Sequence, residues 1–207
     1  MDQQSRTGSA VWRLISAGRR LPEDRKGVAA LEFALIAPLM LIIYFLAMEF
    51  SQAIETDKKV SRMASQIGDL VTQQPFMTPN ELKGIMKISD SILQPYARSE
   101  PEITVTAIRI TESFNPRAEV VWSRRYANGH YSRAEPPDSV TTVPPALMAP
   151  GAFLIRAEVN LDYWPVLVLS AEEAGLFGIT GRMFPIRMGG RYYLRPRMTH
   201  TISCENC

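Results

Sequence analysis

The chain is poor in the residues that carry most protein chemistry. Of its 207 residues only two are histidine and two are cysteine, and the formal net charge is +2. A balance so near neutral, with Lys and Arg scattered along the chain, gives no electrostatic case for a nucleic-acid partner. His130 follows a turn and reads as a surface side chain. His200, Cys204 and Cys207 offer three metal ligands, one short of the four protein ligands of a structural zinc site. The serines, Ser170 included, stand in no G-x-S-x-G context, and no H-E-x-x-H or P-loop pattern occurs. No catalytic constellation is visible, no cofactor or metal is implied, and no small-molecule substrate is evident. Internal repeats and low-complexity tracts are missing as well.

Apolar residues, by contrast, are concentrated in one place. From Val28 to Met48 the run is interrupted only by Glu32. About 20 apolar residues cross a bilayer core of about 30 Å, whereas runs of about 10–14 are more often a buried core helix. This run is of the longer kind. Before it stand Arg6, Arg13, Arg19, Arg20, Arg25 and Lys26 against Asp2, Glu23 and Asp24; after it, Glu49, Glu55 and Asp57 precede Lys58 and Lys59. The Lys and Arg excess holds the N-terminal side in the cytoplasm, so the chain beyond about Phe50 lies outside, in the periplasm of a bacterium. A cleaved secretory signal would have an apolar region of about 7–15 residues and a small-residue cleavage site. Ala47-Met48-Glu49-Phe50-Ser51 offers no such site.

Glu32 stands out, because an ionised carboxylate costs roughly 2.5–3.5 kcal/mol at the centre of a membrane helix and less near an end. Its bland reading is a side chain near the cytoplasmic interface that reaches back to water.

The periodicity continues past the apolar run. Phe50, Ile54, Val60, Met63, Ile67, Leu70 and Val71 recur at three- and four-residue spacing, which predicts one helix from about Val28 to Gln73, before Pro75. Its first half is apolar all round and its second half amphipathic. Pro38 loosens one turn, as membrane helices tolerate. A second helix starts at Thr78-Pro79-Asn80-Glu81, shows Leu82, Ile85, Met86 and Leu93 on one face, and ends at Gln94-Pro95. Strands follow at Glu102–Ile110, Glu119–Tyr126, Phe153–Tyr163 and Gly190–Arg195, with Asn128-Gly129 as a turn. The proline-rich stretch 133–151 reads as an irregular connection, and the apolar, glycine-bearing region 161–185 as a loop on the sheet or a contact surface. Trp122, Trp164, Tyr192 and Tyr193 read as core.

The fold class is therefore α+β: a long N-terminal membrane-spanning helix, a second helix and a small antiparallel sheet in the periplasm. The expected division is a basic leader over 1–27, the spanning and extended helix over 28–74, and a periplasmic α+β domain over 75–207. Val11, Trp12, Leu14 and Ile15 allow a helical turn or two in a leader that reads as a disordered basic tail. The amphipathic half of the long helix needs an apolar partner, and the sheet face is the natural one.

The segment Arg25 to Met48, reading RKGVAALEFALIAPLMLIIYFLAM, resembles the prepilins, and within them the TadE-like pseudopilins of the tight-adherence (Flp) pilus assembly system. Arg195-Pro196-Arg197-Met198-Thr199 and the cysteine tail are similar to the C-termini of such proteins. The resemblance implies a non-enzymatic minor pseudopilin, single-pass in the inner membrane, with its C-terminal domain periplasmic. It implies cutting after Gly27 by a prepilin peptidase, leaving Val28 as the new N-terminus, with Glu32 and Phe33 as assembly residues. The Flp-type motif has tyrosine beside the glutamate; Phe33 keeps the ring and lacks the hydroxyl. Other pilins, pseudopilins and the Tad secretion machinery are the partners implied. A new α-amino group, with a reference pKa of about 8, would be largely cationic. Pairing it with Glu32 of a neighbouring subunit would offset both desolvation costs and set axial register.

Cys204 and Cys207 form a C-x-x-C near the C-terminus, where a periplasmic setting favours a disulfide, within the chain or between chains. A thioredoxin-like site belongs at a helix start in an α/β context, not on a tail. The competing account of the whole chain is an uncleaved signal-anchored periplasmic scaffold or ligand-binding protein of an envelope complex. In that account Gly27 and Glu32 are incidental.

Overall fold

The apolar run and the amphipathic stretch after it form a single helix in the computed structural model, which describes residues 27–96, 98–165, 185–205 and 207. This helix, α1, is Val28–Thr72, with Pro38 inside it. It ends where Thr72 Oγ1 turns back to the Asp69 carbonyl at 2.9 Å, three residues ahead of Pro75. The residues of the leader, with its Val11–Ile15 cluster, and residues 166–184 of the apolar region lie outside the described residues.

The chain divides into two compact units, Met1–Met48 and Glu49–Cys207, and α1 contributes to both. In the first unit, every described residue from Gly27 to Met48 is exposed except the half-buried Ala37. In the second unit, α1 buries Thr56, Val60, Met63, Ala64, Ile67, Gly68, Val71 and Thr72. That spacing of three and four residues is one face of a helix turned inward.

After α1 come β1 (Phe76–Met77), α2 (Pro79–Lys87) and α3 (Ser89–Ile92). Thr78 caps α2 with a reciprocal capping box, its side chain accepting from Glu81 N while Glu81 accepts from Thr78 N. The expected second helix is thus broken in two at Ile88. Ile88 N bonds to the Ile85 carbonyl and Ser89 Oγ takes the Met86 carbonyl at 2.6 Å, so local bonds replace the regular ladder there.

The remaining strands are β2 (Glu102–Ile110), β3 (Ala118–Ala127), β4 (His130–Arg133), β5 (Val140–Thr141), β6 (Phe153–Tyr163), β7 (Ile186–Leu194) and β8 (Ser203–Cys204). The main sheet is antiparallel in the order β4-β3-β2-β6-β7, with β5 pairing on β3. A bulge at Val121 shifts the register between Ala107 and Ile108 of β2. Odd-numbered residues of β2 and β6, among them Ile103, Val105, Ala107, Ile155, Val159, Leu161 and Tyr163, join α1, Leu82 and Met86 in the main core. The opposite face has a smaller cluster of Ile108, Ile110, Ala118 and Leu154, covered by Val143, Leu147 and Met148.

Those covering residues belong to the proline-rich stretch, which is more ordered than a loop reading implies. It holds β5 and a 3-10 turn at Pro145–Leu147. It is pinned by Arg156, a buried cation whose guanidinium pairs with Glu135, donates to Thr141 Oγ1 at 2.9 Å and lies 3.1 Å from Glu158. The last long strand starts at Ile186, four residues ahead of the expected Gly190, because Gly189 and Gly190 mask it in the sequence. Trp122 is core as expected, but Trp164 and Tyr192 are 40% and 39% exposed. Tyr192 is held at the surface by a 2.9 Å bond to Ser61 Oγ on α1.

Candidate processing and assembly site

The junction that dominates the sequence coincides with the start of α1. Gly27 is a turn residue, and its carbonyl accepts the first helical bond, from Leu31 N at 3.1 Å. Val28 opens the helix. The Gly27–Val28 peptide bond therefore sits at the helix boundary, between a turn residue and the first residue of α1. A Cβ built on Gly27 meets nothing within 4 Å, and its backbone is not in the left-handed region. Among the described residues, neither packing nor dihedral angle requires glycine here.

Glu32 lies one turn into the helix, and its side chain is exposed. Phe33 beside it is 73% exposed. Around them Leu31, Leu35, Ile36 and Leu39 are exposed too, so the carboxylate stands in a wholly apolar surface. An exposed apolar helix of this length is suited to lipid or to like helices. Glu32 is the one ionisable group of the run from Val28 to Met48 apart from the Tyr44 phenol.

The second unit begins at the next residue, Glu49. Glu49 Oε1 accepts a 2.6 Å hydrogen bond from the hydroxyl of Tyr163, which is fully buried. Burial first, then the bond to Glu49, pushes the Tyr163 phenol up to about 12. Two glycines farther along let the helix lie close on the sheet. A Cβ on Gly190 of β7 would stand 2.9 Å from Ser61 Cα and 3.3 Å from Ala64 Cβ. One on Gly68 of α1 would stand 2.5 Å from Leu194 Cδ1. The sequence offered no signal for the Glu49–Tyr163 pair, because the two residues lie on different elements more than a hundred residues apart.

The cysteine tail is placed at the far end of α1. β8 pairs in parallel with β1, Phe76 opposite Ser203 and Met77 opposite Cys204. Cys204 and Cys207 are bridged, with a Cα–Cα separation of 5.3 Å. Buried Trp122 donates from Nε1 to the Ile202 carbonyl at 2.9 Å, and Arg124 and Arg133 donate to the Cys207 carbonyl. Arg197 N bonds to the Thr72 carbonyl and its guanidinium pairs with Asp69 at 2.5 Å. The tail is thus part of the core and lies apart from the Gly27 junction in sequence and element. His130 opens β4 and is exposed.

An exposed apolar helix segment continued into an α+β domain gives one candidate membrane span among the described residues, and suggests a single-pass anchor. Residues 27–68 match the family model described as TadE-like protein. The match begins at Gly27, takes in Val28, Glu32 and Phe33, and stops at Gly68 where the helix packs on the sheet. It points to a component associated with the Tad pilus. No curated protein and no solved structure matches the chain.

Proposed function

We propose that this chain is a minor pseudopilin, a non-enzymatic component of Tad pilus assembly, cut after Gly27 by a prepilin peptidase. The observation that carries the reading is the combination at the junction. A glycine that no packing among the described residues requires precedes a helix that starts at the next residue, and a carboxylate follows on its lipid-type surface. A peptidase that selects a small residue supplies the missing reason for glycine. The N-terminus stays cytoplasmic, the span lies in the inner membrane, and Glu49–Cys207 is periplasmic.

After cutting, the Val28 amine and the Glu32 carboxylate are opposite charges on one apolar surface. Each is costly in lipid alone, and pairing between neighbouring subunits relieves both. Phe33 adds apolar contact beside that pair. The partners are other pilins, pseudopilins and the Tad secretion machinery. In an oxidising periplasm Cys204 and Cys207 remain bridged within the chain and hold the tail on β1.

Two variants test the reading. Gly27→Ala meets no steric obstacle, so the protein is expected to fold and insert normally while remaining uncut in cells with an active prepilin peptidase. Glu32→Ala is expected to be cut but to fail in assembly, read as loss of pili or of cross-linked partner. Normal pili in the Glu32 variant contradict the role given to the carboxylate.

A further inference from the structure

We propose that the end of the sheet formed by Tyr163–Trp164 and Ile186–Arg187 rests on the membrane surface, with Trp164, Ile186 and Arg187 among phospholipid headgroups. This rests on the single-pass anchor reading. Glu49 is the first residue after the apolar run. Wherever the span leaves the bilayer on that side, Glu49 is within a residue or two of the boundary. The buried Tyr163 hydroxyl is 2.6 Å from its carboxylate, so the last residue of β6 is fixed at the same level by a direct bond. Ile186 pairs with Tyr163 in register, which places the start of β7 there too.

The residues at this end are of the kind that favours the lipid–water interface. Trp164 is 40% exposed and Ile186 is 51% exposed. The Arg187 side chain is 92% exposed and lies 3.7 Å from the Asp162 carboxylate. Trp164 is held from both of its backbone groups. Its N–H donates to the Tyr96 hydroxyl at 2.8 Å and its carbonyl accepts from Arg98 at 2.7 Å. Tyr96 in turn stacks on Tyr163 with ring centroids 5.1 Å apart, and Arg98 lies 5.4 Å from the Tyr96 ring. This support holds a tryptophan that is left 40% exposed. Indoles favour the headgroup level, and arginine reaches phosphate from there. The span keeps the lipid surface adjacent, so even a weak contact is held at high effective concentration.

The test uses the full chain in vesicles of phosphatidylcholine brominated at shallow or deep acyl positions. The emission lost on Trp164→Phe isolates the Trp164 signal, and Met40→Trp reports the middle of the span. Shallow bromines are expected to remove roughly half of the Trp164 emission and deep ones less, with the opposite order for the Met40→Trp probe. Quenching of the Met40→Trp probe with none of Trp164 overturns the surface contact and leaves the anchor intact. If neither is quenched, the anchor reading fails and the contact with it.

Discussion

At the residue scale, glycine serves opposite purposes at two positions. At Gly27 an added methyl meets nothing within 4 Å among the described residues. At Gly190 it meets helix backbone at 2.9 Å, which can yield only if the helix moves off the sheet. At Gly68 the nearest atom is the tip of a leucine side chain, which can rotate away. Gly190→Ala is therefore expected to destabilise the protein by about 1–3 kcal/mol, and Gly68→Ala by less, in denaturant titrations. Tyr163 gives a second residue-scale expectation. Its phenol is pushed from 10.0 to about 12, chiefly by burial and then by the Glu49 bond. The folded state thus holds a proton that the unfolded chain releases, so the contribution is complete below about pH 10 and disappears as pH rises towards 12. Stability should fall with pH across that window, and the fall should flatten in Tyr163→Phe. An unchanged slope in that variant contradicts the assignment.

The elements show where sequence patterns suffice. α1 and strands β2, β3 and β6 were legible because their apolar residues repeat at 3.6 or 2 over nine residues or more, and the capping box marked α2. β1, β5 and β8 have two residues each, too few to show a period, and exist through pairing with distant partners. The proline-rich stretch was read as irregular because its order comes from Arg156, a single buried cation on β6. Arg156→Met removes the partner of Glu135 and is expected to cost about 3–5 kcal/mol, with new protease cleavage between Arg133 and Gly151. Arg191 also pairs with Glu158, but its side chain is 61% exposed, and Arg191→Gln should cost at most about 1 kcal/mol.

On the scale of the whole molecule, the processing junction was legible as a local pattern of basic pair, glycine and carboxylate. What the sequence left hidden is how the domain beyond Met48 holds the helix: the Glu49–Tyr163 bond, the Gly190 contact and the tail bridged at Cys204 and Cys207 all join residues far apart in the chain. All three lie within the unit Glu49–Cys207. The account stands or falls on maturation at the start of α1. The decisive measurement is the intact mass and N-terminal sequence of the protein from native membranes of cells with an active prepilin peptidase. A chain that starts at Val28 is the expected result; a chain that keeps residues 1–27 contradicts the account and favours a plain signal anchor.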